Sequence, residues 1–364
     1  MNALLDRLGL RFLLKLDPEI AHGLSLKALQ PGVARARPPA ADPRLVIRKA
    51  GLEFPNPLGM AAGYDKNAEA ADALLGLGFG FAEVGTLTPR PQSGNPKPRI
   101  FRLLEDRGVI NRLGFNNEGH AAALKRLAAR QGRPGIIGVN IGANKDSQDR
   151  IGDYVSGVRS FAPLASYLAV NISSPNTPGL RNLQSGEALT ELLARVIAAR
   201  DEAPGGKSVP IFLKIAPDLS EADITEIAEA ALRHKVDGVI VSNTTLARAG
   251  LNSPSRNEAG GLSGRPLFER STAVLARMRR AVGPDMVLVG AGGVDSAETA
   301  LEKIRAGADL VQLYTGMIYA GPGLPARIVA GMSRFAADNG LKLIADLRDS
   351  EVGRWAARPL NQDS

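Results

Sequence analysis

The chain has 364 residues, of which 44% are hydrophobic and 4% aromatic, and its formal net charge is +8. It contains no cysteine, which excludes disulfides, Cys-ligated zinc, iron–sulfur clusters and Cys nucleophiles. Its three histidines are too scattered for a metal site, and no apolar run approaches the roughly 18 residues that span a bilayer. The basic excess is not organised as a block interleaved with aromatics, so we expect no nucleic-acid partner.

The first 43 residues are predicted to form an amphipathic helical hairpin followed by a linker. Residues 3–16 have a broad apolar face, and Asp17-Pro18-Glu19 has the pattern of an N-cap with proline at the first helical position. A second short helix follows, and residues 30–43 read as a Pro/Ala/Arg linker. The hairpin could pack on the core or lie with its apolar face in a membrane surface, and the sequence leaves both alternatives open. Interspersed charges exclude a secretory signal.

Eight apolar runs, most of them followed by a helical pattern, favour an α/β fold of the (β/α)8 TIM-barrel type over residues 44–340. A doubly wound sheet is the alternative. A hairpin over residues 45–54 precedes the barrel, and residues 86–117 form an unusually long βα loop, which is typical of a functional segment. The predicted strands cover residues 58–61, 81–84, 136–141, 167–172, 211–215, 239–241, 286–289 and 310–313. The predicted helices cover residues 68–77, 118–130, 154–161, 187–200, 221–233, 268–282, 297–306 and 325–337.

Polar, cationic or glycine residues follow every predicted strand, at the end where such barrels build their sites. The fourth strand ends in Asn171, Ser173 and Ser174, whose carboxamide and hydroxyls suit a flat, amide-rich ligand. A capped turn is the alternative interpretation. Lys66 and Lys214 could bind an acidic substrate or a negatively charged cofactor, or form ordinary ion pairs. The glycines at 292–293 and 316 follow the last two strands, where barrels commonly bind phosphate.

These residues resemble class 2 dihydroorotate dehydrogenases, the membrane-associated, quinone-reducing kind, from about residue 3 to residue 338. The resemblance is carried by residues 59–67, 83–89, 98–102, 110–116, 139–142, 171–181, 214–217, 242–245, 260–264, 290–293 and 312–315. Class 1 relatives use a Cys base, whereas this chain has no Cys and presents Ser174. Residues 341–364 fall outside the resemblance and have no assigned role. We expect them to form a disordered or partner-binding extension.

The resemblance implies one FMN per chain, with no metal and no iron–sulfur cluster. Its implied FMN contacts are Ala62, Gly63, Lys66, Thr86, Asn140, Asn171, Lys214, Ser242, Gly264, Gly293, Tyr314 and Thr315. The implied dihydroorotate contacts are Lys66, Asn111, Arg112, Leu113, Gly114, Phe115, Asn171, Asn176, Asn243 and Thr244. Ser174 is the implied catalytic base, with Thr177 and a water near Phe115 as candidate proton acceptors. Lys214 would stabilise negative charge on the reduced flavin.

The resemblance further implies oxidation of dihydroorotate to orotate in de novo pyrimidine biosynthesis, with ubiquinone or menaquinone as the electron acceptor. His22, Arg102 and Tyr314 match polar residues of a quinone tunnel, although His22 could equally be a structural histidine. We expect a monomer whose residues 1–30 contact a phospholipid surface. The lack of a transit peptide favours the cytoplasmic face of a bacterial inner membrane. The rival functions are a flavin barrel acting on tRNA, which would need the missing Cys, and a flavin-binding protein without turnover.

Overall fold

The eight predicted strands close into a parallel barrel in a computed structural model that describes residues 9–10, 12–29, 40–204 and 209–360. Neighbouring strands pair in chain order around the barrel, and the last strand returns to the first. The (β/α)8 prediction is therefore confirmed. The barrel strands are β3 (Leu58–Met60), β4 (Phe81–Leu87), β7 (Ile136–Ile141), β8 (Tyr167–Asn171), β9 (Ile211–Ile215), β10 (Gly238–Val241), β12 (Val287–Ala291) and β13 (Leu310–Leu313).

Helices cover the outside of the barrel, and several begin with side-chain caps that the sequence provides. Ser220 and Asp223 form a capping box at one helix start, and Ser296 and Thr299 form another. The first helix, α1, covers Pro18–Leu29. The helices that follow are α2 (Ala71–Gly76), α3 (Gly119–Ala129), α4 (Arg150–Phe161), α5 (Gly186–Asp201), α6 (Glu221–Arg233), α7 (Phe268–Val282), α8 (Ala297–Arg305), α9 (Thr315–Ala320), α10 (Leu324–Asp338) and α11 (Val352–Ala356).

Aromatic rings fill one part of the barrel interior. The ring centroids of Phe81 and Tyr167 lie 6.3 Å apart, and those of Tyr167 and Phe212 lie 4.8 Å apart in a stacked arrangement. Gly138 makes room for this cluster, because a Cβ at that position would lie 2.0 Å from the Tyr167 ring. These three aromatic rings lie at the first residues of their strands and fill that end of the barrel. A cavity can therefore form only towards the carboxyl ends of the strands.

The long loop after β4 contains a second, antiparallel sheet that the sequence did not predict. Its strands are β5 (Ile100–Leu103) and β6 (Gly108–Asn111), and β11 (Gly261–Gly264) completes it from far along the chain. Leu103, Ile110, Leu251 and Leu262 form a small core of their own under this sheet. The pairing of β6 with β11, about 150 residues apart in the chain, leaves no local sequence signal, which explains why that part of the sheet was missed. The pairing of β5 with β6 is a local hairpin that the sequence analysis did not predict.

The N-terminal segment packs on the barrel with one side only. Asp17 caps α1 by accepting hydrogen bonds from the backbone N–H groups of Glu19 and Ile20, as predicted. Ala21 and Leu29 are buried, whereas Ile20 is 60% and Leu24 42% exposed. Residues 12–15 are helical, and the rest of the predicted first helix lies partly outside the described residues, as do residues 30–39 of the linker. No helix in the described parts has the length and apolar character needed to cross a bilayer.

A hairpin of β1 (Ile47–Lys49) and β2 (Leu52–Phe54) precedes the barrel. The predicted start of its first strand at residue 45 is wrong, because Asp42 accepts a hydrogen bond from the Arg44 N–H and caps a short 3-10 turn over Pro43–Leu45. Helix α2 begins at Ala71 and not at the predicted residue 68. The Asp65 carboxylate accepts hydrogen bonds from the backbone N–H groups of Glu69 and Ala70, which holds these residues in a turn before the helix.

The expectation of a disordered tail is wrong for residues 341–360. Trp355 is 3% exposed, lies edge-on to Phe268 with centroids 5.9 Å apart, and donates its indole N–H to Glu302. Ile344 is fully buried as well. The segment is ordered because these apolar side chains cover the outer surfaces of α7 and α8, which would otherwise face water. Residues 361–364 lie outside the described residues.

Candidate active site

One cavity of about 380 Å³ runs from the N-terminal segment to the carboxyl ends of the barrel strands. Its size is that of a small-molecule site. It is lined by Ser174, by all of the predicted FMN contacts except Asn140, by all of the predicted dihydroorotate contacts except Arg112, and by the three predicted quinone-tunnel residues. The structure therefore brings together in one space residues that are up to 293 positions apart in the chain, from His22 to Thr315.

The two exceptions lie just outside the cavity wall. Asn140 is fully buried behind Thr86, which donates its hydroxyl to the Asn140 Oδ1 at 2.6 Å. Arg112 turns its guanidinium away to form an ion pair with Glu258 at 2.7 Å and to lie over the Phe101 ring. Asn140 thus supports a wall residue, and the Arg112 side chain supports the loop rather than the cavity.

A hydrogen-bonded set of amides and hydroxyls forms the polar end of the cavity. Asn171 donates from Nδ2 to the Thr86 hydroxyl at 3.0 Å and accepts the Ser173 hydroxyl at 2.7 Å. Asn243 donates to the Ser173 hydroxyl at 3.0 Å. These bonds restrain the directions of the Asn171 and Asn243 carboxamides and leave part of their donor and acceptor capacity unused. The remaining amide capacity faces the cavity, where it can bind the N–H and C=O edges of a ring.

Ser174 lies in this polar end, in the loop after β8. It is 5% exposed, and its Oγ accepts a hydrogen bond from the Asn176 N–H at 3.2 Å. The Oγ1 of Thr177 is buried and has no hydrogen-bond partner among the described residues. An unpaired buried hydroxyl is costly unless another molecule pairs with it. The Phe115 ring also lines this part of the cavity.

A fully buried carboxylate, Glu83, joins several wall residues from below. It accepts hydrogen bonds from Asn140 at 2.8 Å, Tyr167 at 2.9 Å and Gln312 at 2.7 Å, and its Oε1 lies 3.7 Å from the Nζ of Lys214. No role was assigned to Glu83 from the sequence. The available signal was an acidic residue inside an otherwise apolar strand, which is unusual unless the charge is paired.

Lys66 and His22 meet where the polar end joins the apolar arm. The Nζ of Lys66 lies 3.3 Å from the Nε2 of His22, and the Nδ1 of His22 lies 3.5 Å from the Tyr314 hydroxyl. Burial lowers the pKa of Lys66 to about 8 and that of His22 to about 3, the latter with help from the charge of Lys66. His22 is therefore neutral at physiological pH, and Lys66 carries a cation that a carboxylate would stabilise.

Apolar side chains line the arm of the cavity under the N-terminal segment. Leu10, Leu13 and Pro18 contribute from that segment. Arg102 donates to the backbone carbonyls of Leu14 at 3.0 Å and Leu16 at 2.8 Å, so it holds the segment over the arm. A narrow apolar arm with a few polar groups suits a lipid-like ring compound.

Backbone at the end of β12 closes the opposite side of the cavity. Gly293 has a φ of +76°, and a Cβ there would lie 2.4 Å from the Cβ of Phe268, so only glycine fits. Gly292 and Gly293 both line the cavity, next to Thr315 and Gly316. Exposed backbone N–H groups in such loops are suited to an anion. No group of three or more His, Cys, Asp or Glu side chains that could hold a metal occurs in the described ranges.

Comparisons with known proteins agree with this geometry. The family model for dihydroorotate dehydrogenase matches residues 44–335. The chain belongs to the dihydroorotate dehydrogenase family. It is 67% identical over 360 residues to a dihydroorotate dehydrogenase (quinone) of Mesorhizobium japonicum, covering 99% of this chain and 100% of the relative. It is 65% identical over 363 residues to the enzyme of that name from Brucella ovis, with the same coverages.

Solved structures give the same family. The crystal structure of DHODH from Eimeria tenella in complex with ferulenol has a TM-score of 0.89 and 38% sequence identity, covering 94% of this chain and 98% of that chain. The ligand-free structure from the same organism has a TM-score of 0.88 and covers 94% and 100%. The two quinone-type relatives span residues beyond 340, so the C-terminal segment is part of the alignment with them.

Membership of the family confirms the resemblance that the motifs indicated, and it leaves some wall residues without an assignment. Tyr64 lies edge-on to both His22 and Tyr314, with centroids 5.2 Å and 5.6 Å away, and its hydroxyl is 3.0 Å from that of Ser25. Sequence reasoning missed this contact because Ser25 and Tyr64 lie on different elements, 39 positions apart.

Proposed function

We propose that this chain oxidises (S)-dihydroorotate to orotate and passes the electrons to a membrane quinone, as a step of pyrimidine biosynthesis. The proposal rests on one continuous cavity that joins an amide-rich end around Ser174 to an apolar arm under α1. The assignment as a quinone-type dihydroorotate dehydrogenase follows from family membership and from the names of relatives that match over the whole chain.

We propose FMN as the cofactor. The loops at Gly292-Gly293 and Thr315-Gly316 line the cavity and would offer backbone N–H groups to its phosphate, and Thr86, Asn171 and Lys214, which line the same cavity, would contact its ring. The fit is supported by the Gly293 position, where a Cβ would collide with Phe268. When bound, the flavin supplies the hydride acceptor for the substrate and the electron donor for the quinone. Lys214, anchored by Glu83, would favour negative charge on the flavin ring.

The amide-rich end suits dihydroorotate. Asn111, Asn171, Asn176 and Asn243 offer donors and acceptors to the two amide-like edges of the ring, and Lys66 offers a cation to its carboxylate. A site built on these hydrogen bonds would reject analogues that lack them, because its buried polar groups would lose their partners.

Ser174 is proposed as the base that removes the proton beside the carbon that loses hydride. A neutral serine hydroxyl is a weak base, so it must pass a proton on as it accepts one. Thr177 is proposed as the next group in this path, because its buried Oγ1 has no partner among the described residues. A water molecule between Thr177 and Phe115 would complete the path to solvent.

Residues 1–43 are proposed as the quinone-tunnel and membrane-binding segment, joined to a barrel of residues 44–340. His22, Arg102 and Tyr314 supply the polar groups of the apolar arm. The exposed apolar side chains of Ile20 and Leu24 would rest in a phospholipid surface, which is where a quinone could enter. We further propose a monomer at the cytoplasmic face of a bacterial inner membrane, with ubiquinone or menaquinone as the acceptor.

The proposal is tested by incubating the purified protein with dihydroorotate and a short-chain quinone, and by measuring orotate by its ultraviolet absorbance. We expect orotate to form with quinone, and at less than about a hundredth of that rate with NAD⁺ or fumarate. Faster turnover with either soluble acceptor would contradict the quinone assignment. No orotate with any acceptor would contradict the reaction itself.

Deletion of residues 1–43 tests the proposed roles of the two ends of the cavity independently. The truncated protein should still have its flavin reduced by dihydroorotate, because the amide-rich end is built from the barrel. Its reoxidation by quinone should be lost. Unchanged quinone turnover would contradict the role proposed for the N-terminal segment.

A further inference from the structure

Lys303 is a buried lysine that the proposed reaction does not use. It lies on α8, its side chain is fully buried, and no carboxylate of the described residues lies within 4.0 Å of its Nζ. Its Nζ donates to the Ser271 hydroxyl at 2.6 Å and lies 3.4 Å from the carbonyl oxygen of Ala291. It also lies 5.0 Å from the centroid of the Phe268 ring. A buried charge without an ionic partner is costly, so the structure retains it against a penalty.

The hydrogen bonds of Lys303 lead to the glycine loop of the cavity. Ser271, which accepts from Lys303, has one hydroxyl hydrogen and two carbonyl oxygens within reach, that of Phe268 at 3.1 Å and that of Gly292 at 3.2 Å. When it donates to Gly292, it links Lys303 to the glycine loop. In a trans peptide the C=O of Gly292 and the N–H of Gly293 point in opposite directions. Because the Ser271 hydroxyl lies on the carbonyl side of the Gly292–Gly293 peptide, the Gly293 N–H points away from Ser271, towards the cavity.

Polarisation along these hydrogen bonds, from Lys303 through Ser271 to Gly292, makes the Gly292–Gly293 loop a stronger anion site. A hydroxyl that accepts from a cation becomes a better donor, and a carbonyl that accepts a strong hydrogen bond makes its own N–H more acidic. Phe268 adds a second link, because it contacts the Lys303 cation and closes against Gly293 at the same time. Burial holds the pKa of Lys303 well below its ordinary value, and an anion bound nearby would favour its charged form.

We infer that Lys303 is a positioning residue for the cofactor phosphate, acting as its buried counter-cation through Ser271 and the Gly292–Gly293 peptide. The inference rests on the proposed FMN cofactor and concerns only its phosphate. It predicts that Lys303 distinguishes FMN from riboflavin, which has the same ring system and no phosphate.

The test compares the dissociation constants of FMN and riboflavin for flavin-free, full-length protein, measured by quenching of flavin fluorescence. Lys303→Met should weaken FMN binding by about tenfold or more and change riboflavin binding by less than about twofold. Lys342→Met is the matched control, because it removes one exposed lysine from the C-terminal segment by the same substitution. It should change neither constant.

The thermal midpoint of the flavin-free protein gives a second readout. Removal of an uncompensated buried cation should leave that midpoint unchanged or raise it, although FMN binding becomes weaker. Ser271→Ala keeps Lys303 and breaks the relay, so it should also weaken FMN binding selectively. It provides the test if Lys303→Met does not fold.

Equal weakening of FMN and riboflavin, or unchanged FMN binding in both variants, would overturn the inference. In that case, tighter binding of FMN than of riboflavin by the wild-type protein would still support FMN as the cofactor. A wild-type protein that binds neither flavin would overturn both.

Discussion

The Nζ of Lys66, in the loop after the first barrel strand, lies 3.3 Å from the Nε2 of His22 on α1. This contact joins the amide-rich end of the cavity to its apolar arm. It places the cation proposed for the substrate carboxylate directly beside a residue proposed for the quinone tunnel. In this account the two halves of the reaction share a wall, and substitutions on either side of the contact should separate them.

Ser174→Ala should leave flavin bound and slow its reduction by dihydroorotate by roughly 10²–10⁴-fold, the usual contribution of a general base. The reason is that no other hydroxyl of the loop after β8 has the same position in the cavity lining. Stopped-flow absorbance under anaerobic conditions measures the rate. Ser350→Ala, at an exposed position of the C-terminal segment, is the control. A reduction rate within twofold of wild type would remove Ser174 from the mechanism.

Orotate binding should weaken as the pH rises above about 8. Burial lowers the pKa of Lys66 to about 8, so the free protein loses the ammonium above that pH and with it the partner of the orotate carboxylate. The dissociation constant, followed by the flavin spectrum, should be flat below pH 7 and rise by up to about tenfold per pH unit above pH 8. Lys66→Met should bind weakly at every pH. A flat wild-type profile up to pH 10 would contradict the role of Lys66.

The exposed residues of α1 should bind membranes. Ile20 and Leu24 lie four residues apart on one face and are 60% and 42% exposed. Full burial of one such side chain contributes about 1.5–3 kcal/mol, so burying the exposed parts of both contributes about that amount in total. Ile20→Asp/Leu24→Asp should therefore weaken binding to phospholipid vesicles, measured by co-sedimentation, by roughly tenfold to a hundredfold, with flavin reduction by dihydroorotate unchanged.

Leu232→Asp/Leu343→Asp is the matched control for that experiment, because these leucines are 47% and 41% exposed but lie on α6 and in the C-terminal segment. The control should bind vesicles like wild type. Equal loss in both double variants would indicate a general effect of charge, and the membrane face would have to lie elsewhere.

His120 should make the fold sensitive to acid. Burial against the Phe161 ring lowers its pKa from the ordinary 6.5 to about 4, so the unfolded chain binds a proton at a pH where the folded protein does not. Its contribution to stability is full above pH 6.5 and is lost as the pH falls towards 4, at no more than about 1.4 kcal/mol per pH unit. Urea unfolding of His120→Leu should show a shallower pH slope in this window. An identical slope would contradict the assignment.

Trp355 should anchor the C-terminal segment. Its ring is buried against Phe268, and the loss of a buried tryptophan costs about 3–5 kcal/mol. Trp355→Ala should lower the free energy of unfolding by about 3 kcal/mol in urea titrations, whereas Leu343→Ala, at an exposed position, should change it by less than about 1 kcal/mol. A small effect at Trp355 would mean that the segment is only loosely attached.

The sequence predicted the barrel well because each strand–helix unit carries its own periodic signal. The strands Ile136–Ile141, Ile211–Ile215 and Leu310–Leu313 and the helices Glu221–Arg233 and Phe268–Val282 have their predicted bounds. The cavity residues were also predictable, since the carboxyl ends of parallel strands meet at one face whatever the rest of the chain does.

The features that were missed depend on contacts between distant parts of the chain. The sheet of β5, β6 and β11, the Glu83 hydrogen bonds and the packing of Trp355 on Phe268 each join segments that sequence periodicity treats separately. Trp355 in particular lies among charged residues, so its surroundings in the sequence indicated exposure. Only the folded barrel provides the apolar surface that buries it.

To learn whether one cavity serves two half-reactions, the purified yellow protein is mixed with dihydroorotate without oxygen, and a short-chain quinone is then added. The flavin absorbance should bleach on the first addition and recover on the second. Bleaching without recovery would contradict the quinone arm, and a flavin-loaded protein that does not bleach would contradict dihydroorotate as the substrate.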